Sequence, residues 1–313
     1  QGVDRILIDL RDNGGGYLQA ATALASEFLN RGDLMLYNQG AHYPREDFKT
    51  ERDGRLKNVP ISVLVNENSA SSSEIFAGAM QDLDRAQIIG RRTFGKGLVQ
   101  VPFSLRDSSV VRLTVARYYT PSGRSIQKSY ARGLEAYVDD IEERYIHGEL
   151  FSADSISKPD TTKYYTRMGR VVYGGGGITP DIFVPRDSTG INTYYLRLLR
   201  SGTIQRFAFT YADTNRSRLA TFSSVKELSD YLWSVGDQIV YSYASFAQQH
   251  GVAQRPGLLQ ESFPILKREL VALIADMLGG EKNLYYRIRN EHDPEVLRAI
   301  ECLTSKEWKP TKR

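Results

Sequence analysis

The sequence predicts an α/β fold, in which a mixed β-sheet is flanked by helices, followed by a C-terminal helical domain. Three observations support this prediction. Strand-like apolar runs alternate with helical spacing over residues 3–90, and such alternation is typical of a parallel or mixed sheet with helices on its faces. Residues 98–103 and 110–118 can pair as a hairpin. From about residue 190 the spacing is helical, with amphipathic stretches at 224–249, 264–278 and 294–304.

The first elements in order are a strand, a turn, a helix and a second strand. Residues 3–10 form an apolar strand pattern, and the glycine-rich turn 12–16 follows it directly. Residues 17–30 then carry apolar side chains at helical spacing. A second strand is predicted at residues 34–37, and the polar, charged segment 40–57 is predicted to be a surface loop or a hairpin tip.

The next elements repeat the same alternation. A buried strand is predicted over residues 59–65, and the turn after it is rich in residues that cap helices. A helix is predicted from about Ser71 to Asp84, with its apolar side chains on one face. A short strand at residues 86–90 then leads into the glycine-flanked loop 93–97.

The composition changes after the hairpin. Residues 124–170 are polar and rich in charge and tyrosine, which indicates an excursion from the core. Residues 171–185 return to strand-like character, and Gly174–Gly177 is predicted to form the bulged start of a strand. We therefore divide the chain into a core over residues 1–185 and a C-terminal helical domain over residues 186–313.

The overall composition is that of an ordinary globular protein. Hydrophobic residues make up 41% of the 313 residues and charged residues 25%, which argues against wholesale disorder. The formal net charge is only +4, and no run of lysine and arginine supports a nucleic-acid partner. No apolar run approaches the roughly 20 residues that span a bilayer, so no transmembrane helix is predicted.

Cysteine and histidine usage limits the chemistry further. Cys302 is the only cysteine, so neither an internal disulfide nor a multi-thiolate metal site can form. The apolar residues near Cys302 have the spacing of one face of a helix, and we expect the cysteine to be buried. The four histidines are scattered without metal-ligand spacing.

The N-terminus runs from Gln1 almost directly into a core strand, without a methionine or a cap. We therefore expect the chain to be a fragment of a longer protein. On this expectation, the absence of a signal peptide says nothing about export.

Ser71 and Lys96 are the candidate reactive residues. A serine at the first turn of a helix lies beside backbone N–H groups where the helix dipole favours negative charge, as a nucleophile with an oxyanion hole requires. A hydroxyl nucleophile needs a base, and no histidine is close in the sequence. Lys96 could serve if burial keeps its amine neutral. On these residues alone, a helix-capping serine and a solvated lysine turn remain alternatives.

Five motifs in order resemble the carboxyl-terminal processing (tail-specific) serine peptidases. The segments are Asp9–Gly16, Asn68–Ile75 with Gln81-Asp82 after it, Thr93–Gln100, Ala116–Gly123 and Gly177–Asp181. Each motif is weak alone, but the five together cover about residues 1–123 and 171–185. The resemblance implies a ClpP/crotonase-like peptidase core for the α/β fold.

The resemblance also implies the catalytic residues. It assigns the nucleophile to Ser71, the general base to Lys96 and the residue that orients this base to Gln100. The implied reaction is acyl transfer through an acyl-enzyme, without a metal or a nucleotide cofactor. For this chemistry we expect the amine of Lys96 to be shielded from water beside the Ser71 hydroxyl.

The backbone oxyanion donors follow from the same resemblance. They map to the N–H groups of Gly15 or Gly16 and of Ser72, and glycine suits a place where the substrate carbonyl must come close. Glu74 lies three residues after the first helical serine, which is the capping-box offset. We expect Glu74 to cap the helix, and Asp82 to have a structural role.

The family's substrates are polypeptides, cleaved near protein C-termini, and its bacterial members are usually exported to the cell envelope or periplasm. The resemblance therefore implies that location here. The family's PDZ module, which captures the substrate's tail, is absent from this chain and is expected upstream. Without it we expect weak or unselective substrate capture, and a sheet edge that could pair with another chain.

Two questions stay open at the level of the sequence. The region 186–313 lies outside the motifs, and dimerisation into a homo-oligomer and a lid over the active site are its candidate roles. The rival to the peptidase is a catalytically silent binding or scaffold domain on the same fold.

Overall fold

The computed structural model describes residues 2–158, 160–278 and 284–305. The chain divides into two compact units, one formed by Gln1–Arg186 with Arg298–Arg313 and the other by Asp187–Leu297. No helix within the described ranges is long and apolar enough to cross a membrane.

The first unit combines strands with a few short helices. Its strands are β1 (Ile6–Asp9), β2 (Leu34–Gln39), β3 (Glu46–Lys49), β4 (Ile61–Val65), β5 (Gln87–Gly90), β6 (Leu98–Ser104), β7 (Val110–Tyr119), β8 (Tyr164–Tyr165), β9 (Val171–Val172) and β10 (Ile182–Phe183). Its helices are α1 (Leu18–Ser26), α2 (Ser72–Asp82), α3 (Gly133–Val138) and α4 (Asp140–Ile146), with a 3₁₀ turn at Ala153–Ser155.

A parallel sheet carries the core of this unit. Its strand order is β1-β4-β5-β10, with Ile6 opposite Ile61 and Ser62 opposite Gln87. All five residues of β4 are buried, because this central strand is covered on both faces. The continuous apolar run seen in the sequence thus forms the middle of the sheet. Helix α2 is buried on all sides and packs Phe76 and Met80 into the same core.

A second sheet is antiparallel and has the order β3-β2-β7-β6. Strands β6 and β7 form the predicted hairpin, with a register shift between Val99 and Gln100. Strand β3 lies in the segment 40–57, which was predicted to be a loop or a hairpin tip, and it pairs with β2. The prediction of an α/β fold with a mixed sheet arrangement is therefore confirmed, although the parallel and antiparallel strands form separate sheets.

The prediction for Gly174–Gly177 is wrong. These residues form a loop rather than a bulged strand, and β10 begins only at Ile182. Gly177 has a φ of +86°, and a Cβ there would lie 2.6 Å from the carbonyl oxygen of Thr93. The glycine is therefore required by a close approach of two backbones.

The second unit is helical, as the spacing predicted. Its helices are α5 (Thr193–Arg200), α6 (Thr203–Thr214), α7 (Arg216–Leu219), α8 (Val225–Ser234), α9 (Gly236–Gln249), α10 (Pro256–Met277) and α11 (Leu284–Asn290). They enclose a core of their own, which includes Leu198, Leu232 and Leu266. Helix α12 (Pro294–Thr304) is the last helix in the described part of the chain. Cys302 lies on this helix and is buried, as predicted.

Candidate active site

Ser71 lies at the junction of β4 and α2, in a strained backbone conformation. Its φ of 58° and ψ of −120° are unfavourable for a residue with a side chain, and such strain costs on the order of 1–3 kcal/mol. The preceding turn is held by Ser69, whose hydroxyl donates to the carbonyl of Leu10 at 2.7 Å and accepts from the N–H of Asn66 at 2.9 Å. The strain at Ser71 is therefore imposed by a well-fixed turn.

Glu74 connects this turn to the loop that carries Lys96. Its Oε2 accepts the backbone N–H groups of Ser71 and Lys96, at 2.9 and 2.8 Å. Its Oε1 accepts the hydroxyl of Thr93 at 2.5 Å and the N–H of Gly95 at 2.7 Å. Since they share one oxygen, the backbone nitrogens of Ser71 and Lys96 lie within about 5.7 Å of each other.

The Glu74 side chain has no solvent exposure. Burial is the largest influence on this carboxyl and raises its pKa, while the hydrogen bonds from Thr93, Lys96, Gly95 and Ser71 oppose the rise. The predicted cap is confirmed by the hydrogen bond from the Ser71 N–H. The hydrogen bond between Glu74 and the Lys96 loop was not predicted, because the two residues are 22 positions apart and local residue spacing does not indicate such a contact.

The backbone of the Lys96 loop is held from several directions. The carbonyl of Gly95 accepts the N–H of Lys128 at 2.9 Å, and the N–H of Gly97 donates to Gln127 Oε1 at 2.8 Å. A Cβ on Gly97 would lie 2.6 Å from Ile126 Cγ1, so this glycine allows close packing. The loop therefore has a fixed backbone that presents the Lys96 side chain.

The expected shielding of Lys96 is wrong for this arrangement. The side chains of Lys96 and Gln100 are both exposed. Within the described ranges, no hydrogen bond joins Lys96 to the Ser71 hydroxyl or to Gln100. The structure thus brings Ser71 and Lys96 together through their backbones, and it does not assemble the side chains of the three predicted residues.

The predicted oxyanion donors lie beside Ser71. A Cβ on Gly15, whose φ is +94°, would lie 2.9 Å from both Ser71 Cβ and the Ser72 nitrogen. The N–H of Gly15 donates to Asn13 Oδ1 at 2.9 Å, and the N–H of Gly16 donates to the Ser72 hydroxyl at 2.6 Å. The glycine turn therefore packs directly against Ser71 and Ser72, and the N–H groups of Gly15 and Gly16 are engaged by protein acceptors.

Asp82 has the structural role that we predicted. Its buried carboxylate accepts from Arg124 at 2.7 Å and from the N–H of Ser122 at 3.0 Å. The neighbouring Gln81 also accepts from Arg124, at 2.6 Å, and donates to the carbonyl of Thr179 at 2.9 Å. This pair thus ties α2 to the segments that follow β7 and precede β10.

The segment 124–170 takes part in the core rather than leaving it. Arg144 of α4 is buried and donates to the carbonyls of Arg92 and Thr93, at the base of the Lys96 loop. Arg92 and Arg144 both donate to Glu149, at distances of 2.7 to 2.8 Å. The prediction of an excursion from the core is therefore wrong for these buried charges, which support the loop from behind.

Within the described ranges, no group of three or more histidine, cysteine, aspartate or glutamate side chains could hold a metal ion.

Parts of the chain are similar to known proteins. Residues 1–138 match the sequence model described as Peptidase family S41, and residues 194–280 match a family of unknown function, DUF8443. The chain is 44% identical over 130 residues to the chloroplastic C-terminal processing peptidase of Tetradesmus obliquus, a match that covers 41% of this chain and 27% of that protein. It is 36% identical over 174 residues to a carboxyl-terminal-processing protease of Synechocystis sp., covering 56% and 38%.

Among solved structures, a photosystem II D1 C-terminal processing protease is 29% identical, with a TM-score of 0.42. That match covers 60% of this chain and 36% of the other. The chain thus spans between about a quarter and two fifths of the length of these three proteins.

Proposed function

Because residues 1–138 match the sequence model of peptidase family S41, we propose that the chain carries the catalytic core of a serine peptidase that hydrolyses peptide bonds near protein C-termini. In this proposal Ser71 is the nucleophile and Lys96 is the general base. The observation that carries the proposal is the shared hydrogen bonding of the Ser71 and Lys96 N–H groups to one oxygen of Glu74.

The proposed reaction proceeds through an acyl-enzyme. Ser71 Oγ bonds to the peptide carbonyl carbon, and its proton passes to Lys96 Nζ. The resulting oxyanion is held by N–H groups of Gly15 or Gly16 and of Ser72. Collapse of the intermediate breaks the C–N bond, and Lys96 returns the proton to the leaving amine. Water then attacks the acyl carbon and gives a proton to Lys96. The ester bond to Ser71 Oγ breaks, Lys96 returns the proton to Oγ, and the acid is released.

Two movements separate the present arrangement from this chemistry. The Lys96 side chain must turn from solvent towards Ser71, and the Gly16 N–H must leave the Ser72 hydroxyl. Hydrogen bonds of catalytic groups often tighten only when substrate binds. In this proposal a bound peptide covers Lys96, the amine loses its proton, and Gln100 orients it. A general base contributes about 10²–10⁴-fold, and one oxyanion donor about 3–4 kcal/mol.

Labelling with a fluorophosphonate probe tests the nucleophile. We expect the wild type to be labelled at Ser71, the Ser71→Ala variant to be unlabelled, and the Lys96→Ala variant to be labelled at least 100-fold more slowly. Ser104→Ala, at an exposed position on β6, is the matched control and should be labelled normally. Equal labelling of the wild type and Ser71→Ala would eliminate Ser71 as the nucleophile.

A catalytically silent binding domain is the second candidate. It is favoured by the exposure of Lys96 and by the occupied N–H groups of Gly15 and Gly16. A protein that binds extended peptides but neither reacts with the probe nor cleaves the peptides would be such a domain. Probe labelling together with peptide hydrolysis, both lost in Ser71→Ala, identifies the peptidase.

We also propose the context of the full-length protein from the same family. Bacterial and chloroplast processing proteases are among the relatives, and an exported protein of the cell envelope or periplasm fits them. A PDZ module upstream would capture the substrate's tail, and a homo-oligomer is a candidate assembly. Fractionation of cells that produce the full-length protein, followed by detection of this core, tests the location.

A further inference from the structure

A cavity of about 470 Å³ lies in the first unit, behind the loop that carries Lys96. The side chains of Ser71, Lys96 and Gln100 do not line it. Its wall shares residues with the network that supports the loop, and half of the lining residues are charged. The cations in the lining are Arg92, Lys128, Arg132 and Arg144.

The carboxylates in the same wall are already paired. Glu149 accepts from two guanidinium groups, those of Arg92 and Arg144. Glu143 accepts two hydrogen bonds from Arg132, both at 2.8 Å. The remaining carboxylate, Asp140, accepts from the Lys128 ammonium at 3.2 Å. Four cations therefore face three carboxylates, and the cavity has an excess of one positive charge.

Within the described ranges, Lys128 is the cation of this lining whose side chain donates the fewest hydrogen bonds. Only 5% of the residue is exposed, and its ammonium has three N–H donors. One hydrogen bond, to Asp140, is formed within the described ranges. The aromatic rings of Phe94 and Tyr137 lie 3.9 and 4.3 Å from Nζ. Burial lowers the pKa of Lys128, and Asp140 opposes this effect.

We propose that this cavity binds a carboxylate group, with Lys128 Nζ as its main partner. A carboxylate accepts several hydrogen bonds and neutralises one positive charge, so it satisfies both the excess charge and the N–H groups of Lys128. The hydroxyls of Ser129, Ser155 and Ser157 also line the cavity and can donate to it. A volume of this size admits a whole terminal residue of a peptide as well as a small free acid.

The position of Lys128 links the cavity to the catalytic loop. Its backbone N–H donates to the Gly95 carbonyl at 2.9 Å, and Arg144 in the same wall donates to Thr93. The occupant has two chemical sources, a peptide's C-terminal carboxylate and a small free carboxylic acid. Only the first source rests on the proposed function, because the substrate's tail would then supply the group.

Ligand-dependent thermal unfolding tests the proposal. The Ser71→Ala protein is titrated with a short peptide acid, with its C-terminal amide and with acetate, at an ionic strength held constant with chloride. Binding to the folded state stabilises it by RT ln(1 + [L]/Kd), so the Tm rises with the concentration of a ligand that binds. We expect at least tenfold tighter binding of the peptide acid than of the amide if the source is a peptide. Binding of acetate alone assigns the site to small acids.

Variants show whether the carboxylate sits at Lys128. Lys128→Met keeps the aliphatic stem between the rings and should abolish both acetate binding and the difference between acid and amide. Lys158→Met is the matched control, because that lysine is exposed over the ring of Tyr173, and it should bind like the parent.

A second variant keeps the test valid if Lys128→Met does not fold. Ala136→Leu fills the cavity from α3 without removing a charged group, and should weaken binding at least tenfold. The proposal is wrong if acetate binding and the acid–amide difference both persist in these two variants, or if neither ligand effect exists in the parent. Labelling of Ser71 does not depend on this outcome, so the proposed function stands or fails separately.

Discussion

The Glu74 carboxylate accepts four hydrogen bonds from groups that the chain brings together from Ser71 and from residues 93–96. A buried carboxylate is costly unless such donors replace its water. Two of the donors are the backbone N–H groups of the proposed nucleophile and the proposed base. The carboxylate therefore fixes the relative position of both residues without touching their reactive atoms.

Replacing Glu74 by glutamine tests this positioning role. Glutamine offers one acceptor oxygen in place of two, and its NH₂ group would face backbone N–H groups. We expect the free energy of unfolding to fall by about 1–3 kcal/mol, the cost of leaving a buried donor unsatisfied. We also expect labelling of Ser71 by the fluorophosphonate probe to slow at least tenfold, because in either orientation of the amide its NH₂ group faces a backbone N–H of the Lys96 loop.

Glu51→Gln, at an exposed position, controls for the loss of a carboxylate and should change neither quantity. Denaturant unfolding and probe labelling are measured on the same preparations. Normal labelling by a folded Glu74→Gln protein would show that the Ser71–Lys96 arrangement does not need this carboxylate.

The candidate residues of the site could be predicted to different degrees. The cap from Glu74 follows from a three-residue offset, and Asp82 follows from its place on the helix. The exposure of Lys96 depends on the rotamer of its side chain at the surface, and the spacing of residues in the sequence does not predict that rotamer. The engagement of Gly16 by Ser72 depends on how two turns dock across 56 residues of chain.

At the level of elements, Thr93 joins the Lys96 loop to the segment before β10. Its hydroxyl donates to Glu74 and accepts the N–H of Ile178 at 2.7 Å. The Thr93 N–H donates to the Ile178 carbonyl at 3.0 Å, and Gly177 packs against the same residue. The glycine loop 174–177 thus supports the Lys96 loop through a close backbone contact.

Substitution of Gly177 by alanine should disturb that contact. The new Cβ would lie 2.6 Å from the Thr93 carbonyl oxygen and 2.7 Å from Thr93 Oγ1, so the loop must shift. The positive φ adds about 1 kcal/mol of strain. We expect a total loss of about 2–4 kcal/mol of unfolding free energy and a clear slowing of probe labelling.

Gly169→Ala is a matched control for the backbone strain. Gly169 has a φ of +84°, but nothing lies within 4 Å of the place of its Cβ. Its substitution should cost about 1 kcal/mol and leave labelling unchanged. If both variants lose the same stability and label at the same rate, the contact between Gly177 and Thr93 contributes nothing beyond strain.

The elements were predictable where the apolar pattern is local and regular. Strand β4 and the β6–β7 hairpin follow from runs of apolar residues, and their bounds differ from the predicted ones by two residues or fewer. The stretch 224–249 divides into α8 and α9 at Val235, next to Gly236, although its amphipathic pattern continues. The burial of Arg144 could not be predicted, since its partners Arg92 and Thr93 lie 52 and 51 residues away in the chain.

At the scale of the whole molecule, each unit has its own hydrophobic core. The core of the first unit includes Val63, Phe76 and Ile88, and the core of the second includes Leu232 and Leu266. Domains with separate cores can unfold in separate transitions. A single free energy of unfolding then does not describe the chain. The change in stability of each variant must be measured on the unfolding transition of the unit that contains the substitution.

Calorimetry of two core variants tests this separation. We expect two unfolding transitions, one of which responds to Ile88→Ala and the other to Leu266→Ala. Both side chains have no solvent exposure, and removing a buried aliphatic side chain costs about 2–5 kcal/mol. A loss of that size should lower the Tm of the affected transition by roughly 10 °C. A common transition that both variants shift equally would mean that the two units unfold as one, because the stability lost in one core would then be shared by the whole chain.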